Sequence, residues 1–144
     1  MSNIIIGKLV SLLQISLEDT ELIVRWRNNP NVQHNFIFRE VFTNEMHISW
    51  MNDKVATGKV AQFIIQDNET KKKIGSVYLR DINYSFRSAE YGIFIGEDEF
   101  RGKGFGSEAA KLIVDYAFNN LELHRVFLRV FKTNIAAITS YKKV

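Results

Sequence analysis

The stretch EFRGKGFGSEAA, from Glu99 to Ala110, places three glycines within five residues and then continues as an apolar helical pattern. Glycine costs conformational entropy, so a compact chain accepts this density where the backbone must bend sharply or approach a ligand closely. A glycine-rich turn at the beginning of a helix exposes backbone N–H groups, and the helix dipole adds partial positive charge there. The stretch therefore predicts a binding site for a phosphate or pyrophosphate group.

Two familiar phosphate-binding loops do not fit this stretch. The P-loop requires G-x-x-x-x-G-K-[ST], a string that the chain does not contain. The dinucleotide fingerprint G-x-G-x-x-[GA] matches Gly104, Gly106 and Ala109. That fingerprint should follow its strand directly and be followed by an acidic residue about 20 positions later. Here EDEFR separates the strand from the glycines and the next strand ends in VFKT, so we reject a dinucleotide site.

The composition is that of an ordinary folded domain. The 144 residues are 46% hydrophobic and 24% charged, without a linker or repeat, so we expect one domain over residues 1–144. The chain has no cysteine, which excludes disulfides and a cysteine nucleophile, and we expect no metal site. Without an apolar run of about 18 residues or a signal-peptide pattern, we expect a cytoplasmic protein that does not enter a membrane. The net charge of +3 comes from scattered basic residues, so we expect no nucleic-acid binding.

The hydrophobic periodicity predicts the element order β-α-α-β-β-β-α-β-α. Helices are predicted over residues 17–29, 43–58, 107–118 and 134–143. In the helix after the glycines, Glu108 lies on the polar side and the apolar face is formed by Ala110, Ile113, Val114, Ala117, Phe118 and Leu121. Antiparallel strands followed by one β-α-β crossover predict an α/β (α+β) fold with a mixed sheet and helices on both faces.

The loop from Arg101 to Gly106 resembles the R/Q-x-x-G-x-G/A loop that holds the acyl-CoA pyrophosphate in GNAT N-acetyltransferases. The similarity continues into AEYGIFIG before the loop and SEAAKLIVDYAF after it, and NIAAITSYKK is similar to the family's N-x-x-A-x-x-x-Y-x-K segment. VRWRNNPNV resembles the W-R-N-x-P segment of the RimJ/RimL-type branch. The resemblance covers nearly the whole chain. It implies the GNAT fold, with a mostly antiparallel central sheet and one splayed pair of strands.

The resemblance also implies acetyl-CoA as the co-substrate and a set of residues that hold it. Backbone N–H groups of the loop would bind the pyrophosphate, at Arg101, Gly102, Lys103, Gly104, Phe105, Gly106 and Ser107. The backbone of Phe94, Ile95 and Gly96 would contact the pantetheine arm, which lies like an added strand. Asn134 would hydrogen-bond the same arm from the last predicted helix.

Two residues are candidates for proton transfer. By resemblance, Tyr141 is the general acid that protonates the departing CoA thiolate, and its alternative is an ordinary surface tyrosine. Glu90 is the candidate general base, because a carboxylate inside an apolar strand is costly to bury without a role. Its alternative is a strand-end acid paired with Arg87 or solvent. A water chain, His47 or His124 could replace Glu90 as the base.

The acceptor is less constrained than the donor. The resemblance implies direct transfer of acetyl to a primary amine without a covalent enzyme intermediate. WRNNPNV together with RDINYSFRSAEYGIFIGEDEFRGKGFGSEA is most similar to enzymes that acetylate a 4-amino group of a UDP-linked sugar in pseudaminic-acid-type pathways. A nucleotide-linked amino sugar is thus the first expectation, a protein or peptide N-terminal amine the second, and an acyl-CoA-binding module with weak catalysis the third. Trp26 and Trp50 are expected in the core or the acceptor wall, and His34 could contact the acceptor.

The C-terminal end departs from the family pattern. The chain stops at SYKKV, where relatives continue with Gly-Phe and two closing strands. We therefore expect a domain truncated at its C-terminus, in which HRVFLRVF is left as an exposed hydrophobic edge strand or is covered by a second copy in a homodimer. The missing strands would also loosen the helix that carries Tyr141.

Overall fold

The computed structural model describes residues 4–33, 41–132 and 135–142, and the side chains among them up to residue 128. The strands and helices of this part of the chain are β1 Ile4–Ile6, β2 Val10–Gln14, α1 Thr20–Asn28, α2 Pro30–Gln33, α3 Asn44–Trp50, β3 Ala61–Asp67, β4 Lys73–Asn83, β5 Ser88–Ile95, α4 Phe105–Asn119, β6 Arg125–Lys132 and β7 Ile135–Lys142. Single 3-10 turns lie at Leu17–Asp19 and Asp98–Phe100, and a π-helical turn at Met51–Val55 extends α3. None of the described helices is long and apolar enough to span a membrane.

One mixed sheet contains the described strands in chain order, from β1 to β7. Neighbouring strands from β1 to β5 are antiparallel, β6 is parallel to β5, and β7 is antiparallel to β6. α4 makes the crossover between β5 and β6 that a parallel pair requires. The mixed, mostly antiparallel sheet predicted from the sequence is confirmed.

Each face of the sheet has its own apolar core. Phe63 and Ile65 of β3 belong to the cluster that α4 covers, whereas Ile64 between them belongs to a second cluster with Trp26 of α1 and Met51. Because successive strand residues point to opposite faces, the two clusters lie on opposite sides of the sheet. The helices therefore cover both faces, as predicted.

The helix that follows the glycine loop packs with a slightly different face from the one predicted. In α4 the fully buried side chains are Ala109, Ile113 and Ala117, spaced four residues apart. Ala110, which we predict within the apolar face, is only partly buried and borders this stripe. The stripe of residues 109, 113 and 117 therefore faces the sheet, and the neighbouring residues Ala110, Val114 and Phe118 lie at the border of the contact.

The prediction of a helix over residues 134–143 is wrong. Residues Ile135–Lys142 form β7, which pairs with β6 from Arg125↔Lys142 to Lys132↔Ile135. The segment IAAITSYK contains β-branched residues and weak helix formers, and pairing satisfies the backbone groups along the edge of β6. The expectation that β6 is an open edge strand is wrong for the same reason.

Glu108 does not lie on a solvent-facing side of α4, as we predict from the sequence, but anchors the turn between β1 and β2. Its carboxylate accepts hydrogen bonds from the backbone N–H groups of Lys8 at 3.2 Å, Leu9 at 2.7 Å and Val10 at 2.7 Å. The side chain of Asn68 holds the same turn by donating to the carbonyl of Gly7 at 2.8 Å. The first turn of α4 is thus fixed to the opposite end of the chain.

We predict that Glu108→Ala lowers the free energy of unfolding by about 1.5–3 kcal/mol, because charge-assisted hydrogen bonds to three backbone donors are lost. Urea unfolding followed by circular dichroism measures this change. Asp115→Ala removes an exposed acidic residue from the same helix and should change the stability by less than about 0.5 kcal/mol. Equal effects of the two substitutions would contradict the role of Glu108.

Candidate active site

The strands β5 and β6 separate shortly after they pair. Their parallel register runs from Ser88↔Arg125 to Glu90↔Phe127. Beyond these three pairs β5 continues to Ile95 along β4, while β6 continues to Lys132 along β7. A gap therefore opens between the two strands just after Glu90, which matches the splayed pair implied by the sequence.

The end of β5 and the glycine loop enclose a cavity of about 290 Å³. Asn31 and Val32 of α2 and the side chain of Phe100 contribute to its walls. Of the residues predicted to hold acetyl-CoA, those that line the cavity are Phe94, Ile95, Arg101, Gly102, Gly104, Gly106 and Ser107. The structure thus brings most of the predicted donor-site residues together at the N-terminus of α4.

Two of the three loop glycines adopt a conformation that other residues avoid. Gly102 has φ +74° and Gly104 has φ +87°, both in the left-handed region. Gly104 directly precedes α4, whose first backbone N–H groups have no carbonyl one turn earlier to accept from them. At Gly106 a β-carbon would make only an ordinary contact, 3.8 Å from the Ile95 side chain. The sharp bend therefore depends on Gly102 and Gly104.

Two side chains of the loop contact the loop itself or the end of β5. The Arg101 guanidinium donates to the Asp98 carboxylate and to the carbonyl of Ile95. Phe105 packs edge-on against Phe100, with ring centroids 5.3 Å apart, and Lys103 is exposed. Gly96 does not line the cavity, because the Trp26 indole lies directly over it. The anion-binding capacity of the loop therefore comes from its backbone N–H groups and the N-terminus of α4.

Glu90 lies at the point where β5 and β6 separate. It is paired across β4 with Arg80, whose Nε lies 3.6 Å from the Glu90 carboxylate, and the Glu90 side chain is 12% exposed. The cation beside Glu90 is thus Arg80 rather than Arg87. Tyr78 lies on the same face of β4 as Arg80, and its ring lies over Gly92. Burial raises the pKa of the Tyr78 phenol, so this hydroxyl is protonated at neutral pH.

A β-bulge gives Arg80 its position. The register between β4 and β5 shifts between Arg80 and Asn83, and Asp81 has φ +50°. The Asp81 carboxylate lies 3.4 Å from the Nε of Arg80. Bulges re-aim side chains and are frequent beside active sites.

A second, larger cavity of about 460 Å³ has Arg80 in its lining. Its lining combines aromatic, basic and small polar side chains: Trp50, Lys54, Lys59, Val60, Arg80, Asp81, Ile82, Asn83, Tyr84 and Ser85. The π-helical turn after Trp50 carries Lys54, and such turns are frequent at functional sites. The Tyr84 hydroxyl donates to the carbonyl of Gly58 at 3.0 Å, which joins the two sides of this cavity.

Trp50 is held in place as a wall of this larger cavity. Its indole N–H donates to the Gln62 side chain at 2.8 Å, and the Gln62 amide donates to the Ser76 hydroxyl at 3.0 Å. The Tyr78 ring meets the indole edge-on, with centroids 6.5 Å apart. The structure thus places Trp50 in the wall of this cavity, whereas Trp26 is in the core.

The other candidate residues are more distant or outside the described residues. His47 is buried, and burial lowers its pKa, so its ring is neutral at neutral pH. His124 is exposed just before β6. His34 and Asn134 lie outside the described residues. Among the residues that the structure does describe, no group of three or more side chains could hold a metal ion.

Tyr141 lies in β7, so it does not share a helix face with Asn134 as we predict from their spacing. Its backbone is in register with Val126 of β6, which is in turn in register with Ala89 of β5. Tyr141 is therefore two strands from the residue that precedes Glu90, a separation of about 10 Å between backbones.

The basic lining of the larger cavity is not apparent from the sequence. Lys54 and Lys59 are far from Arg80 in the chain, and all three look like ordinary surface cations. The bulge at Arg80 and the π-helical turn before Lys59 have no local sequence signal. The one available indication is the run RDINYS, whose polar residues interrupt an otherwise apolar strand.

Comparisons with known proteins agree with this geometry. A family model described as an acetyltransferase (GNAT) domain matches residues 10–144. Spermidine N(1)-acetyltransferase from Escherichia coli strain K12 is 34% identical over 137 residues, which cover 94% of this chain and 71% of that protein. Acetyltransferase PseH of Campylobacter jejuni is 26% identical over 136 residues, which cover 94% of this chain and 82% of that protein. The crystal structure of spermidine N-acetyltransferase from Vibrio cholerae in complex with CoA and spermine matches with a TM-score of 0.78 and 29% identity, over 86% of this chain and 72% of that chain.

We predict that Gly104→Ala weakens CoA binding about tenfold, because alanine at φ +87° costs about 1–2 kcal/mol and the loop must change shape to avoid it. Isothermal titration with CoA measures the affinity. Gly58→Ala is the matched control, since Gly58 is also in the left-handed region, at φ +80°, and does not line this cavity. Its affinity should stay within about threefold of the parent protein. Equal losses in both variants would show that the loss comes from general backbone strain and not from the shape of the loop.

Proposed function

Because the chain belongs to the GNAT acetyltransferase family and is an acetyl-CoA-dependent acetyltransferase, we propose that its acceptor is the primary amine of a nucleotide-linked amino sugar. The enzyme transfers the acetyl group of acetyl-CoA to an amine. The W-R-N-x-P segment around Trp26 supports a place in the RimJ/RimL-type branch, and the sequence resemblance favours the amino-sugar acetylating members of the family.

The observation that carries this proposal is the charge of the larger cavity. Lys54, Lys59 and Arg80 line it, with Asp81 as the acidic residue among its lining side chains. A diphosphate is the kind of group that converging lysine and arginine side chains bind. Trp50 and Tyr84 offer aromatic surfaces against which a nucleotide base can stack.

The same charge opposes a polyamine acceptor. Two of the relatives are named for spermidine, which carries several positive charges at neutral pH. In a cavity with three cationic side chains and one carboxylate, a polycation meets net repulsion. These charges neither favour nor oppose a peptide N-terminal amine. Acetylation rates with a peptide substrate distinguish this acceptor from the amino sugar.

The geometry supports direct attack by the amine near Glu90. In the proposed step the ammonium gives a proton to the Glu90 carboxylate, and the neutral nitrogen attacks the thioester carbonyl carbon of acetyl-CoA. The C–S bond then breaks, and the CoA thiolate takes a proton from the Tyr141 phenol, an acid with a usual pKa near 10 against about 8.5 for a thiol. The new amide nitrogen loses its remaining extra proton, which returns through solvent to the Tyr141 phenolate, and Glu90 gives its proton to solvent. The role of Tyr141 rests on the sequence resemblance, since the register of β5, β6 and β7 aligns Tyr141 with Val126 and Ala89 rather than with Glu90.

We predict that a UDP-linked 4-amino-4,6-dideoxy sugar is acetylated with a kcat/KM about 100-fold above that for spermidine or a peptide with a free N-terminus. Release of CoA thiol measures turnover without background, since the protein has no cysteine. Lys54→Ala should lower kcat/KM for the nucleotide-linked sugar about tenfold, because a charge-assisted hydrogen bond to phosphate is lost.

The free amino sugar, which has no diphosphate, should show no difference between the parent protein and Lys54→Ala. Lys111→Ala, an exposed lysine of α4, is the matched control for loss of one positive charge. A preference for spermidine, or a Lys54→Ala effect equal on both sugars, would overturn the proposed acceptor.

We predict that Glu90→Gln lowers kcat about 100-fold or more at neutral pH and that the loss shrinks as the pH rises, because a deprotonated amine needs no base. Tyr141→Phe should lower kcat with the affinity for CoA unchanged. Steady-state rates from pH 6.5 to 9.5 and CoA titrations measure both effects. Glu69→Gln, an exposed acid in the β3–β4 turn, is the control. A pH-independent loss in Glu90→Gln would argue for a structural role instead.

A further inference from the structure

We propose that Trp26 and Glu97 are positioning residues for the CoA cradle, which is the cavity between the end of β5 and the glycine loop. They hold the turn that follows β5 in place. Because neither residue lines the cavity, they act on its shape and not by contact with CoA. This inference rests on the geometry between α1 and the turn that follows β5, and it is independent of the acceptor.

The first component is a close contact that only glycine permits. Trp26 is 1% exposed, and its indole lies against the backbone of Gly96, immediately after β5. A β-carbon at Gly96 would overlap the Cγ of Trp26. The ring also meets Phe94, a cavity-lining residue, edge-on at 6.2 Å between centroids. The indole therefore sets how far the end of β5 stands from α1.

The second component is a charged hydrogen bond that fixes the same turn laterally. The indole N–H of Trp26 donates to the Glu97 carboxylate at 2.6 Å, and Arg25 donates to the same oxygen at 2.5 Å. Lys72 lies 3.6 Å from the other oxygen. The Glu97 side chain is 15% exposed, so these interactions are only partly screened by solvent. Glu97 is thus held by α1 on one side and by the β3–β4 hairpin on the other.

The third component is the backbone around this turn. The N–H groups of Gly96 and Glu97 both donate to the carbonyl of Ile74, at 2.7 and 3.2 Å. The Asn29 side chain donates to the Asp98 carboxylate at 3.1 Å, and that carboxylate also accepts from Arg101 of the glycine loop. Side-chain contacts therefore connect α1 with Glu97 and Asp98, and Asp98 with Arg101. These contacts determine where the loop starts relative to the end of β5.

Preorganisation of this kind should change the affinity for CoA and leave the affinity for the acceptor unchanged. A loop held in its bound shape does not lose conformational freedom when the ligand binds, so its affinity for CoA is higher. Simple electrostatics predicts the opposite effect of removing Glu97, because CoA carries several negative charges and loses a repulsive neighbour. The sign of the change in affinity therefore separates the two explanations.

The experiment compares the CoA affinity of Glu97→Ala, Glu97→Gln and Trp26→Phe by isothermal titration. Glu97→Ala should bind CoA about tenfold more weakly, and Trp26→Phe, which loses the indole N–H, should show a similar loss. Glu97→Gln keeps an oxygen that accepts the indole hydrogen bond and should bind within about threefold of the parent protein. The double variant Trp26→Phe/Glu97→Ala should lose less affinity than the sum of the two single losses, since both variants remove the hydrogen bond from the indole to the carboxylate.

Glu99→Ala is the matched control, because Glu99 is exposed, has the same charge and contacts Lys72. It should leave the CoA affinity unchanged or slightly higher. Kinetically, Glu97→Ala should raise the KM for acetyl-CoA while the KM for the acceptor stays constant. A lower melting temperature in Glu97→Ala with an unchanged CoA affinity, or tighter CoA binding, would overturn the proposal. Neither result would bear on the acceptor, which is tested separately by its own rate measurements.

Discussion

The short parallel pairing of β5 with β6 is the constraint on which the candidate active site depends. Beyond Glu90, the described strands offer no further sheet partner to the edge of β5 that faces away from β4. Backbone groups along such an edge can hydrogen-bond an extended ligand such as a pantetheine arm. A parallel pair also requires a crossover helix, and this places the N-terminus of α4 near the end of the gap. One topological feature thus produces both the open edge and the anion-binding turn.

Charge is distributed unequally along β5. At the donor end the positive potential comes from backbone N–H groups and the N-terminus of α4, because the Arg101 guanidinium is engaged within the loop. At the other end it comes from side chains, of which Arg80 is nearest to Glu90. The Nε of Arg80 lies 3.6 Å from the Glu90 carboxylate, which is longer than a hydrogen bond, so its effect on this carboxylate is electrostatic. Glu90 therefore lies between the glycine loop and the basic side chains of the larger cavity.

The parts of this structure that the sequence predicts are those with local signals. The glycine spacing and the apolar period after it identify the loop and α4, because each depends on neighbouring residues. β7 is mispredicted since its conformation is decided by pairing with β6, and the same eight residues have no strong local preference. Glu108 binds backbone donors about 100 positions earlier, at Lys8, Leu9 and Val10, and no period reveals such a contact. Arg80 is placed by a bulge, which is equally invisible in a single sequence.

The W-R-N segment of α1 connects the two ends of the site. Trp26 and Arg27 are consecutive, so their side chains leave the helix about 100° apart. Trp26 contacts the turn after β5, while Arg27 lies with its Cζ 4.3 Å from the centroid of the Phe42 ring and close enough to Tyr78 and Arg80 to interact electrostatically. Burial lowers the pKa of the Arg27 guanidinium, yet arginine remains charged at neutral pH. Because one rigid helical turn carries both residues, α1 contacts the turn before the glycine loop through Trp26 and lies close to Tyr78 and Arg80 of β4 through Arg27. The same helical turn therefore positions both ends of β5, each through its own side chain.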